Sequence, residues 1–302
     1  MTTTALATPV ARGVASTGRV VLVLAALTVQ EAARRRVIRS LVVLTSVLLA
    51  LSAWGFSRLT GVETEAGELT SGEARIVASQ LLNLVMFGLS LIAALGTTFL
   101  AGPTLSGEVE SGQALAVLAR PVRRSAVLVG KWLGLVAFGG GFIVLAGLTQ
   151  LVIVWVTVGY WPPRPVTGLL LLAAQTTVLL TLGLLLSTVI SPMASGIVAV
   201  GLFGATWIAG VLGGVGEAFG PESVARVGAV SRMVLPTDGL WRGAMHAFQD
   251  ASTLAQFGGP AVEGGFPFLS PSGLTPAYLA YAALWVALVL GLAGMVFSRR
   301  DL

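Results

Sequence analysis

AGPTLSGEVESGQALAVLARPVRRSAVLVGKWLG, residues 101–134, is the stretch on which the architecture of this chain turns. It carries Glu108 and Glu110, then Arg120, Arg123, Arg124 and Lys131, and it separates two long apolar runs. Of the 302 residues, 55% are hydrophobic and only 10% charged, with a mean hydropathy of +0.91. So few charges cannot cover a water-facing surface, so the chain reads as an integral membrane protein. Several apolar runs reach the ~20 residues with which an α-helix crosses a bilayer. Segments such as LVVLTSVLLAL (residues 41–51) lack the alternation of a membrane barrel strand, which leaves helices. The absence of cysteine excludes disulfides, thiolate metal sites and cysteine nucleophiles.

Outward from this stretch, the spans are predicted at about residues 37–56, 74–101, 126–158, 168–189, 193–212 and 275–297. Gly102-Pro103 is expected to close the second of them. The third is too long for a ~30 Å hydrocarbon core, so its first turns, with Gly130 and Lys131, should project beyond it. Residues 1–18 are small and polar and are expected to be disordered. Residues 19–36 are apolar in one half and end in Arg34, Arg35 and Arg36, the pattern of an interfacial helix turned toward anionic headgroups. A cleaved or twin-arginine signal is the competing reading, for which Leu51-Ser52-Ala53 is a poor cleavage site. Residues 213–274 hold no span. Within them, 221–231 and 236–247 are expected as two short interfacial or re-entrant helices. Residues 19–302 thus read as one transmembrane domain, with 103–125 as a polar segment on one side and 213–274 on the other.

Charge placement orients the chain. With the N-terminus inside, 12 of the 18 Lys and Arg residues fall on inner segments and 9 of the 13 acids on outer ones. Both ends are therefore expected in the cytoplasm. The Ser191-Pro192 turn carries no charge and is placed only by alternation.

Little in the chain suggests chemistry. A phosphate-binding loop at Gly130-Lys131 would need glycine where Ser125 stands and a hydroxyl where Trp132 stands. His246 is the only histidine and lacks a companion ligand. No acid falls in an expected span, which argues against an intramembrane enzyme and against a proton relay. Gln80, Asn83, Gln150 and Gln175 are the main polar groups in or near the spans, suited to helix–helix hydrogen bonding or to lining a polar path. Nucleic acid is not an expected partner, and the lipid bilayer is. Wound as a helix, Leu105, Val109, Gly112, Leu115, Ala116 and Ala119 share one face and Glu110, Ser111 and Gln113 the other. Glu108 lies on the apolar side, where it needs a cationic partner, with Lys131 among those available. Glu108 and Lys131 are therefore expected as an internal anchor and Glu110 as an outward contact, with Pro121 ending the helix.

The run GEVESGQALAVLARPVRRSAVLVGKWLG resembles the loop of ABC-2 type exporter permeases, nearest the multi-copper enzyme maturation group. The matching positions are Glu108, Glu110, Gly112, Leu118, Pro121, Val122, Arg124, Gly130 and Lys131. LLLSTVIS (184–191), LPTDGLWRGAM (235–245) and the terminal FSRRDL match in order along the rest of the chain. The resemblance implies an all-α protein of six spans with an N-terminal elbow helix, a cytoplasmic coupling helix between the second and third spans, and outer re-entrant helices. It implies a non-catalytic permease subunit in the cytoplasmic membrane of a prokaryote, pairing with a second permease copy or paralogue and two ATPase subunits that hold ATP and Mg. Contact with the ATPase is expected at Glu110, Ser111, Gly112, Gln113, Arg120, Pro121, Arg123 and Arg124. A permease-like sensor or scaffold, or an energy-independent carrier, would use the same architecture.

Overall fold

The computed structural model describes residues 17–59, 71–110, 124–220, 222–250, 267–270 and 272–299. Its elements in order are α1 (Thr17–Arg34), α2 (Arg36–Leu59), α3 (Ser71–Glu110), α4 (Arg124–Val158), α5 (Pro165–Ser187), α6 (Pro192–Phe219), α7 (Glu222–Val234), α8 (Thr237–Phe248) and α9 (Pro276–Arg299). No strand occurs among the described residues. Six of these helices, α2, α3, α4, α5, α6 and α9, are long and apolar enough to cross a membrane. The starts and stops have local causes. Proline opens α5, α6 and α9, where its missing N–H costs nothing and its fixed φ suits the first turn. Gly159 ends α4 with φ +68 and returns its N–H to the Trp155 carbonyl at 3.0 Å, a left-handed cap that residues with a Cβ rarely adopt.

The helices start and stop within a few residues of the predicted spans except at the ends of α6, which runs on from 212 to Phe219, and of α3. Gly102-Pro103 does not close it: the helix runs on through Pro103 to Glu110. A proline inside a helix costs about 3 kcal/mol, and the surroundings of this one offset that. Leu100, Ala101 and Thr104 are buried. The Thr104 hydroxyl donates to the Leu100 carbonyl at 2.6 Å. The Thr104 carbonyl accepts from Lys131 Nζ at 2.7 Å. Side chains and packing thus hold the turn that the proline weakens.

The largest core cluster includes Leu82, Met86, Leu89, Ile143, Leu151 and Leu172 together with Leu240, Trp241 and Phe248 of α8. At the residues expected as a short interfacial or re-entrant helix, α8 packs inward. Ten of its residues are buried, against α5 above all. Two buried amides of the spans bond between helices: Gln150 Nε2 donates to Ser52 Oγ at 2.7 Å, and Gln175 Oε1 accepts from Ser90 Oγ at 2.9 Å. A third, Asn83, donates from Nδ2 to the Phe268 carbonyl at 3.2 Å and ties α3 to the turn at 267–270.

Candidate coupling site

The C-terminal end of α3 is where the polar stretch of the sequence begins, and four other helices converge on it. Lys131, about two turns into α4, is buried with 6% of its surface exposed. Its ammonium bonds the Thr104 carbonyl, a charge-assisted contact of α4 with α3 a turn and a half before Glu110. On the neighbouring turn, Gly102 lies so close to the start of α6 that a Cβ there would sit 2.4 Å from the Pro192 carbonyl oxygen. The uncharged Ser191-Pro192 turn therefore lies at the same end of the bundle as residues 102–104, as alternation predicts.

The first turns of α4 also seat α1, which makes with α4 the most extensive helix pair of the described chain. A Cβ at Gly130 would stand 3.0 Å from the Val21 carbonyl oxygen, and one at Gly134 2.6 Å from that of Ala25. Glycine at both positions lets the α1 backbone lie directly on α4, so the Gly-Lys pair has two jobs: the glycine admits α1 and the lysine holds α3. Arg124, the first residue of α4, donates from Nη1 to the Ser298 carbonyl of α9 at 3.2 Å.

Of the residues singled out in the sequence, Glu108 and Glu110 fall in the last turn of α3. Ser111, Gly112, Gln113, Arg120, Pro121 and Arg123 lie outside the described residues. Arg35 pairs with Glu31 one turn earlier, while Arg34 and Arg36 are exposed at the junction of α1 and α2. Among the described residues no three His, Cys, Asp or Glu side chains gather as a metal ion would need.

At the opposite end the structure assembles a polar group that the sequence reading did not single out. Asp238, on the first turn of α8, is 3% exposed and accepts from Arg242 Nε at 3.1 Å, with Arg232 Nε at 3.8 Å. Arg242 also donates to the Gly210 carbonyl of α6 at 2.6 Å, and Arg232 reaches Glu217 at 3.1 Å. Burial pushes the Asp238 carboxyl above the ordinary range, Arg242 and Arg232 pull it back, and Glu217 pushes it up again. The Asp-x-x-x-Arg spacing was the available signal; its partners on α6 and α7 lie too far off in sequence to be inferred. Nearby, burial raises the Tyr160 phenol, whose hydroxyl donates to the Phe248 carbonyl at 2.7 Å. His246 is half-buried with Nδ1 3.1 Å from the Ser270 carbonyl, a structural contact.

Six helices long and apolar enough to cross a bilayer make this a multi-pass membrane protein. The family model for ABC-2 family transporter proteins matches residues 23–302, and the chain belongs to that family. A search of curated proteins found no match.

Proposed function

We propose that the chain is the permease subunit of an ATP-driven exporter, pairing with a second permease copy or paralogue and with two ATPase subunits that hold the ATP and Mg. The family supplies the transporter; the continuity of α3 supplies the coupling. One helix runs 40 residues from the far end of the bundle past Pro103 to Glu110, and its last buried turns touch α4 and α6. Closure of the ATPase dimer against Glu110, Ser111, Gly112, Gln113, Arg120, Pro121, Arg123 and Arg124 displaces the end of α3. The Lys131 contact and the Gly102 contact pass that displacement to the neighbouring spans. Glu108, two residues before the contact begins, anchors the segment internally together with Lys131. The end that carries these residues faces the cytoplasm of a prokaryote, where Arg34, Arg35 and Arg36 meet the anionic headgroups of the inner leaflet.

The test is Glu110→Lys in the full chain co-expressed with its ATPase. The variant is expected in the membrane at normal levels with the ATPase lost on co-purification, because a like charge at the contact costs several kcal/mol. Normal co-purification would overturn the assignment.

A further inference from the structure

Helix α7 changes character along its length. Its first turns carry the exposed ion pair of Glu222 with Arg226, whereas Val227, Val230, Met233 and Val234 farther on are exposed and apolar, a face suited to lipid tails. Two neighbours fix how deep the helix goes. Contact of Gly213 with Gly228 lays α7 back along α6. Thr237 Oγ1, beyond its end, then lies 3.3 Å from Thr206 Oγ1, at the middle of the α6 span. On the other side the Val234 carbonyl accepts from Trp285 Nε1 at 3.1 Å. The 24 residues of α9 run ~36 Å, so a ~30 Å hydrocarbon core centred on them begins ~3 Å past Pro276, and Trp285 lies ~10 Å inside it. By both measures the turn at 234–237 sits within the hydrocarbon rather than at its surface.

That depth creates a demand. The last carbonyls of a helix have no helical N–H to bond, and among lipid tails no water takes its place. Leu235 N–H still returns to the Ser231 carbonyl at 3.0 Å, but the next residue is Pro236, which has no N–H to give the Arg232 carbonyl. Helix α8 lies elsewhere: α7 packs on α6 and α8 on α5, and the two scarcely touch. The donors come from α9. Tyr278 Oη donates to the Arg232 carbonyl at 2.9 Å and Tyr281 Oη to that of Met233, with Trp285 on Val234 completing the series. The three donors recur at i, i+3 and i+7, so one stripe of α9 meets three consecutive carbonyls.

We propose that residues 234–237 are the tip of a re-entrant segment that dips into the hydrocarbon, and that Tyr278, Tyr281 and Trp285 are the residues that hold it there. An α7 lying flat on the membrane surface would leave the same carbonyls to water and would need none of the three donors. Each donor holds through a single O–H or N–H, so the tip leaves its depth only by parting from α9. The assignment needs a chain that spans the membrane and holds whether or not that chain is an ATP-driven exporter.

The chain has no cysteine, so a single introduced one reports its own position. Full-length protein in lipid nanodiscs, open to solvent on both faces, is treated with a charged, membrane-impermeant maleimide. Ser223→Cys, exposed in the first turn of α7, is expected to label readily. Val234→Cys is expected to label at least ~10-fold more slowly, because a thiol among lipid tails is not ionised. Tyr278→Phe, Tyr281→Phe and Trp285→Phe together should bring the Val234→Cys rate up to that of Ser223→Cys and leave the latter unchanged. Equal rates at the two positions with the three donors intact would put the whole of α7 at the surface and overturn the depth. Continued protection of Val234→Cys in the folded triple variant would overturn the role of the donors. If the triple variant loses its thermal transition, Tyr278→Phe alone decides: Val234→Cys is expected to label faster than in its parent, and an unchanged rate overturns the assignment.

Discussion

The two ends of the bundle are fastened in different ways. At the end that carries Lys131, backbone meets backbone: glycines at 102, 130 and 134 leave no room for even a methyl group, and one buried ammonium bridges α4 to α3. At the opposite end α6 and α7 also meet backbone to backbone, a Cβ at Gly213 lying 2.5 Å from Gly228 Cα. More of the fastening there is by side chains that reach for carbonyls: Tyr278, Tyr281 and Trp285 to the end of α7, Arg242 to Gly210, and Tyr160 to Phe248. Close backbone packing has no slack, so displacing one helix displaces its neighbours. Long side chains swing between rotamers and can exchange partners one at a time. The seat of α1 on α4 is of the first kind, and the hold of α9 on α7 is of the second.

Substitutions at each end test this contrast. The largest effect is expected from Gly134→Leu, whose Cβ would meet the Ala25 carbonyl at 2.6 Å and the Thr28 Cβ at 2.7 Å. A loss of about 3 kcal/mol is expected, at the top of the range for overpacking. Limited proteolysis should show α1 cleaved where wild type resists. A Tm within error of wild type would mean that α1 is seated less tightly than its geometry shows. Next is Asp238→Ala, which leaves Arg232 and Arg242 without their shared carboxylate. Both arginines are about a quarter exposed, so the cost should fall below the full figure for a broken buried pair, to about 2 kcal/mol. Hydrogen exchange should quicken in α7 and α8 and stay slow in α1 and α4. The smallest is Tyr278→Phe, which removes one of three parallel bonds and should cost about 0.6 kcal/mol, read as faster exchange at the end of α7 alone. If Tyr278→Phe unfolded the far end as broadly as Gly134→Leu disturbs the near one, the contrast between the two ends would fail.

Much of the architecture was legible because a bilayer leaves few options. The six runs from Arg36 to Arg299 stand out by apolar length, and the prolines at 165, 192 and 276 mark helix starts by the same local rule everywhere. Pro103 departs from the pattern because its cost is local while part of its compensation is not: Lys131, which bonds the Thr104 carbonyl, lies 27 residues on from Thr104 in another span. The same holds for α8: the i,i+4 spacing of Asp238 and Arg242 is visible in the sequence, but that Arg242 also reaches the Gly210 carbonyl of α6 inside the protein is not. At the coupling end, the type of each residue pointed to a docking segment. What the sequence could not give was that glycine and lysine at 130–131 serve two different neighbours, because one contact is with backbone in α1 and the other with backbone in α3.

The length of α3 has its own geometric result. Forty residues in one helix make a rod of ~60 Å, so a tilt of about 5° applied at Glu110 appears as a sideways travel of ~5 Å at Ser71. Near that far end Asn83 bonds the Phe268 carbonyl across to the segment beside α8. A tilt of α3 about its Glu110 end therefore moves most the turns farthest from it, and the Asn83–Phe268 bond ties that movement to the segment beside α8.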